Sequence, residues 1–149
     1  MRFSQIDDEH FDIYINNLYL TFDIEKDDEL YDSLRKILIN IRKKYAYDIY
    51  GFYEVNIYVV ENLCTILRFA KKEENIICKT IDLKIIKNNN KSVFLEFDDY
   101  FIIKDFDNKK FFDNKFYINI NNLEKNKIAT IIEHANIVID EKLNYISTI

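Results

Sequence analysis

Apolar and polar residues alternate through most of this chain, and the breaks in that alternation locate its helices. Phe3 to Ile6 predicts a short strand, followed by the polar turn Asp7-Asp8-Glu9-His10. Phe11, Ile13 and Ile15 then alternate with Asp12, Tyr14 and Asn16, the period of two that marks a half-buried strand. Leu18, Leu20 and Phe22 continue it past a bend at Asn16-Asn17. Next the period changes. Leu30, Leu34, Ile37, Leu38, Ile41 and Tyr45 recur at helical spacing, with Asp32, Arg35, Lys36, Asn40 and Lys43 facing away, which predicts a helix over 28–44. Asp27, Asp28 and Glu29 at its start and Arg42, Lys43 and Lys44 at its end suit the helix dipole and predict a capped N-terminus.

Gly51 precedes a long strand with Tyr53, Val55, Ile57 and Val59 on one face and Phe52, Glu54, Asn56, Tyr58 and Val60 on the other. Glu61-Asn62 is the expected turn, and Leu63, Thr65, Leu67 and Phe69 form the return strand. A charged loop is expected over 71–75. Ile81, Leu83 and Ile85, then Val93, Leu95 and Phe97, alternate on either side of a turn over 87–91. Tyr100 to Ile103 is a short apolar run, and Phe111-Phe112, Asp113-Asn114 and Phe116, Ile118, Ile120 predict an aromatic hairpin. Asn121 and Glu124 have capping-box spacing ahead of a helix carrying Ile128, Ile131, Ile132 and Ala135. A closing hairpin is expected from 137–139 and 143–146. The order is β-β-α-β-β, further strands, a helix and a short β end. It predicts an α+β fold of mainly antiparallel sheet with two helices, since hairpin links dominate and βαβ spacing is absent. At 149 residues this is one domain, or two small lobes spanning 1–72 and 76–149.

Composition changes the picture at a few points. One glycine and no proline, with abundant Ile, Lys, Asn, Phe and Tyr, follow an AT-rich coding bias. Asn must therefore supply the left-handed turn conformations that glycine usually provides. Net charge is −5, which argues against nucleic acid as a partner. The first 32 residues carry Arg2 and Lys26 against ten acids. The opening has no apolar signal core, and no run approaches the roughly 18 apolar residues of a membrane span, so a cytoplasmic, membrane-free protein is expected. A reducing compartment favours free thiols at Cys64 and Cys78 over a pair.

Candidate chemistry is sparse. One glycine cannot build a phosphate-cradling loop. Cys64, Cys78, His10 and His134 lack paired metal-ligand spacing, and His134 suits a helix C-terminus. Both cysteines lie in apolar runs, where burial makes thiols inert. Asp105-Phe106-Asp107-Asn108 begins like a calcium loop, but Lys109 and Lys110 follow where ligands belong. Asp82-Leu83-Lys84 matches a metal-nuclease tripeptide without the basic groove such an enzyme uses. No catalytic, cofactor or metal residue is assigned.

Aromatic residues, 15% of the chain, crowd two segments: Tyr45, Tyr47, Tyr50 and Phe52, and then Phe111, Phe112, Phe116 and Tyr117. Packing within sheets accounts for many of them. Tyrosine and phenylalanine also make good interface residues, so Tyr50, Phe52, Phe111, Phe112 and Tyr117 are the candidate partner-binding positions.

The opening from Arg2 to Asp7 with Ile13-Tyr14-Ile15, the helix over 28–44, and Tyr50 to Val59 with its return strand resemble the N-terminal half of the MecA-type adaptors of Gram-positive bacteria. Asp113 to Ile120, the helix from Leu123 and Glu133-His134-Ala135-Asn136 are similar to that family's C-terminal half. The family's acidic linker is reduced here to Lys71–Asn75 or missing. The resemblance implies an adaptor with one surface for a target and another for a AAA+ unfoldase of the ClpC type. A non-enzymatic interaction module that regulates a proteolytic machine is therefore expected. The rivals are a small acidic inhibitor from a phage or mobile element, mimicking nucleic acid through Asp7, Asp8, Glu25, Asp98 and Asp105, and a carboxylate-dependent hydrolase.

Overall fold

The alternating segments become strands and the helical-period segments become helices in the computed structural model, which describes residues 1–46, 48–61, 63–73, 80–88 and 92–149. Tyr47 and Cys78 lie outside the described residues, as do Asn62, the last two residues of the expected loop over 71–75, and 89–91 of the turn over 87–91. The fold is α+β, with nine strands in two antiparallel-dominated sheets and three helices among the described residues. It divides into two units, Met1–Asn89 and Asn90–Ile149.

The first unit is a five-stranded sheet with one helix. Its strands are β1 (Arg2–Gln5), β2 (His10–Asn16), β3 (Gly51–Val60), β4 (Cys64–Glu73) and β5 (Ile81–Asn88), in the spatial order β1-β2-β4-β3-β5. Helix α1 (Asp27–Tyr45) buries Leu30, Leu34, Leu38 and Ile41. They share a core with Phe11, Ile13 and Ile15 of β2, Tyr53, Val55 and Ile57 of β3, and Leu67 and Phe69 of β4. Each such aliphatic side chain, withdrawn from water, contributes roughly 1.5–3 kcal/mol. Phe11 and Phe69 stack at 4.7 Å, and Tyr53 meets both edge-on.

Several local expectations are corrected here. The acids at the start of α1 do not cap it. The cap position is Lys26, without a side-chain hydrogen bond, while Asp23 accepts the Glu25 amide one turn upstream. Strand β2 does not run on through Leu18. The Asn16 side chain accepts the Leu18 amide and opens a 3-10 turn over Asn17–Tyr19. Asn17 is then held by the β3–β4 hairpin: Thr65 Oγ1 donates to its side chain at 2.8 Å, and its own amide donates to the Leu63 carbonyl. Lys71 to Glu73 are strand, not loop; Lys71 pairs with Tyr53 and its amide donates to the Glu9 carbonyl at 2.7 Å.

Periodicity also hid two topological features. β2-α1-β3 is a split β-α-β unit, with β4 inserted between two parallel strands. β5 runs parallel to β3, and lobes divided at 72–76 would have placed it in the second unit. No crossover helix is needed, because β4 carries the chain back antiparallel before β5 starts beside Gly51. Gly51 has φ 130°, a conformation only glycine adopts readily, and its amide donates to the Thr80 carbonyl at 2.8 Å.

The second unit is a four-stranded antiparallel sheet of short strands: β6 (Phe94–Phe97), β7 (Lys110–Phe112), β8 (Lys115–Asn119) and β9 (Asn136–Val138), in the order β7-β8-β6-β9. Phe94 and Tyr117 face Leu143, Val138 and Ile146. Leu95, Phe97 and Ile118 point to the other side, and α2 (Tyr100–Ile103) packs against β6. Asp113 and Asn114 both have positive φ (51° and 62°), the requirement of the tight hairpin turn expected there. The capping box is displaced: Asn119 accepts the Asn121 amide, and α3 (Lys125–Ile131) begins only after Glu124. The expected closing hairpin is absent among the described residues. β9 pairs with β6, and Asp140 accepts the Lys142 amide to start a 3-10 turn over Glu141–Tyr145.

Candidate functional site

An exposed aromatic surface is the most distinctive side-chain arrangement in the second unit. β7 and β8 set Phe111 opposite Phe116, with ring centroids 5.0 Å apart, and Tyr100 of α2 lies 5.4 Å from Phe116. Phe111 and Tyr100 stay 45% and 42% exposed. Lys109 Nζ sits 5.2 Å above the Tyr100 ring while donating to the Lys104 carbonyl. Asp99 accepts the Phe101 amide and nucleates α2, a helix of a single turn. One turn points its four side chains in four directions, so only Ile103 is buried and Phe101 is left 76% exposed.

The predicted partner-binding residues are distributed as follows. Phe111 belongs to this surface. Phe112, its neighbour on a strand, is half-exposed on the opposite side of the hairpin. Tyr117 is buried, and its hydroxyl donates to Glu96 at 3.0 Å. Burial first, and the Glu96 carboxylate second, push that phenol up to about 12. Glu96 also meets Lys115, which reaches Asp98 at 3.1 Å. Tyr50 and Phe52 are in the first unit. Tyr50 packs against the core there with the Arg42 guanidinium 4.7 Å above its ring, and Phe52 is half-buried beside a bulge in β3. Sequence reading missed Tyr100, Phe101 and Phe116 as a cluster; its available signal was an apolar run too short to bury itself.

The first sheet has a polar face opposite α1. Arg68 Nε and Nη2 grip both oxygens of Asp12 at 2.9 Å, with Asp12 almost wholly buried. Burial opposes the charge on Arg68, but the Asp12 carboxylate outweighs it and raises the guanidinium above its ordinary value. Further along β4, Cys64 is a buried free thiol. Burial pushes Cys64 up to about 12, against a smaller opposing effect of its hydrogen bond with Tyr14, and burial pushes Tyr14 up to about 12 as well. A thiol so held is neutral and no nucleophile at neutral pH.

Acids do not gather into a metal-ligating group among the described residues. Asp7, Asp8 and Glu25 belong to the first unit, where Asp7 accepts from His10 at 2.8 Å, and Asp98 and Asp105 belong to the second. Asp82 and Lys84 are exposed on β5. A groove of about 600 Å³ lies between the start of α1 and β5, lined by Asp27, Asp28, Tyr31, Leu83, Ile85 and Lys87. Lys87 donates to Asp27 at 2.9 Å; this bond, ahead of the charges of Glu25 and Asp23, holds the ammonium above its ordinary value and protonated. No helix among the described residues is long and apolar enough to cross a membrane. The chain matches no protein-family model, no curated protein and no solved structure.

Proposed function

We propose that this chain is a non-enzymatic protein-interaction module, an adaptor whose contact surface in the second unit is built on Phe101, Phe111, Phe116 and Tyr100. The observation that carries this reading is the row of rings Phe111–Phe116–Tyr100, left partly open to solvent beside the projecting Phe101. Large rings in water cost free energy that a partner recovers on binding, and aromatic anchors of this kind dominate the energetics of known interfaces. Lys109, its ammonium above the Tyr100 ring, adds a cation that would steer an acidic partner towards it. In the adaptor reading that partner is an unfoldase of the ClpC type, and binding raises the effective concentration of a delivered target.

The test is retention of a purified ClpC-type unfoldase by the immobilised chain. The doubly substituted variant Phe101→Ser, Phe111→Ser should lose retention by about a hundredfold while keeping its circular dichroism spectrum. Retention unchanged in that variant, or absent from the unaltered chain, would remove this reading.

A further inference from the structure

β5 is the outermost strand of the first sheet, and no further strand lies beyond it among the described residues. The Gly51 amide reaches the Thr80 carbonyl, so Thr80 turns its backbone oxygen towards β3. Backbone direction along a strand repeats every second residue. Asp82, Lys84 and Ile86 therefore also turn their N–H and C=O groups towards β3, and Leu83, Ile85 and Lys87 turn theirs outward. The register sets Leu83 beside Tyr53 and Ile85 beside Val55, on the face that α1 covers. The same three residues thus present open backbone groups and floor the groove against the first turn of α1. Its volume, about 600 Å³, lies within the range of sites that enclose a ligand.

Charge selects the occupant. The helix side of the groove carries Asp27 and Asp28, with Asp23 and Glu25 near enough to act on Lys87. Among the described residues lining it the one cation is Lys87, already engaged by Asp27, and Asp28 makes no ion pair among them. The surplus is negative, and the floor is apolar.

We propose that this groove binds an extended segment of a partner protein, apolar and basic residues alternating, as an added strand on β5. Its backbone continues the ladder through Leu83, Ile85 and Lys87. Its apolar side chains rest on Leu83, Ile85 and Tyr31, and a basic side chain meets Asp28. Strand addition of this kind draws affinity from main-chain hydrogen bonds and specificity from alternate side chains. The site is built from residues of the first unit alone.

The probe is a fluorescent hexapeptide, blocked at both ends, that alternates valine with lysine. It should bind the full chain, and amide hydrogen exchange should slow at Leu83, Ile85 and Lys87. Methylating the peptide amides that face β5 removes ladder bonds and should weaken binding by about tenfold or more. Asp28→Lys, a surface change, should weaken it about fivefold, and exchanging lysine for glutamate in the peptide should weaken it further. The Phe101→Ser, Phe111→Ser variant should bind the hexapeptide as the unaltered chain does, so the two surfaces fail or stand separately. The proposal is overturned by absence of binding, by equal binding of the methylated or acidic peptide, or by protection elsewhere in the chain. It is equally overturned if β5 becomes protected by a second copy of the chain as protein concentration rises, without peptide.

Discussion

The two units handle the same raw material differently. In the first, long strands lie under a 19-residue helix, and nearly every ring on the helix side of the sheet is buried. Its sheet ends in two edge strands, β1 and β5, and the outer side of β5 has no neighbouring strand among the described residues. In the second, strands of three to five residues and a one-turn helix leave rings exposed. One of its two edge strands, β7, is nevertheless covered: Lys110 bridges Thr148, the Ile149 amide donates to the Lys109 carbonyl at 2.8 Å, and Lys110 Nζ donates to the Leu143 carbonyl. Exposed edges and exposed rings are alternative ways of leaving a surface open to a partner. In the first unit β5 offers an edge, and in the second the surface of α2 and β7 offers rings.

The contrast in packing is broken first at the core. Leu34→Ala removes a side chain with no solvent exposure from the middle of α1, and should cost about 3–4 kcal/mol in denaturant unfolding. Leu143→Ala in the second unit acts on a smaller cluster under a 3-10 turn that can collapse onto the gap, so about 2 kcal/mol is expected. Equal losses would mean that the short-stranded unit is packed as tightly as the layered one.

The polar face of the first sheet comes next. Arg68→Ala strands the buried Asp12 carboxylate and should cost about 2 kcal/mol. That is below the 3–5 kcal/mol typical of a fully buried pair, because the Arg68 side chain is 26% exposed. Adding Asp12→Ala to Arg68→Ala should recover part of the loss, since no orphaned charge then remains. A double variant no more stable than Arg68→Ala alone would contradict this.

Alkaline pH probes the same face. Folding raises Cys64 from an ordinary 9.0, and Tyr14 from 10.0, each to about 12. The native state therefore holds these protons more tightly than the unfolded chain does. The stability this gives is complete below about pH 9 and is lost as pH rises through about 12. By pH 10 the loss should be about 1–2 kcal/mol, read as a fall in the urea midpoint. Tyr14→Phe should flatten the fall. Tyr117 adds a contribution of the same sign from the second unit.

These differences explain which parts of the molecule were legible. β2, α1 and the β3–β4 and β7–β8 hairpins were readable because burial on one face forces a period on the residues. Phe11, Ile13 and Ile15, or Leu30, Leu34 and Leu38, have no alternative placement. Periodicity reports which face a residue takes but not which strand lies beside it, so the parallel partner of β5 was hidden. Turns decided by a single side-chain acceptor were hidden too: Asn16, Asn119 and Asp140 each redirect the chain through one hydrogen bond to a backbone amide. Of the candidate surface, Phe111 was visible as part of an aromatic hairpin. Tyr100 and Phe101 were not, since an apolar tetrapeptide reads as core until its length shows that it cannot bury itself.

The smallest effects concern the shortage of glycine, and they too separate the units. Left-handed conformations fall on Asn108, Asp113 and Asn114 in the second unit, residues that tolerate them, but on Ala46 in the first. Ala46 ends α1 with φ 52° and ψ 32°, where its Cβ crowds the backbone and where glycine is the usual solution. Ala46→Gly should therefore stabilise the chain by about 1 kcal/mol. The relief of the left-handed strain exceeds the extra flexibility that glycine gives the unfolded chain. Asn114→Gly should gain only a few tenths of a kcal/mol, because asparagine already pays little in that conformation. Thermal unfolding of the two variants side by side decides the point. If Ala46→Gly gave no gain, α1 would have to end in another conformation in solution, without the strain at Ala46.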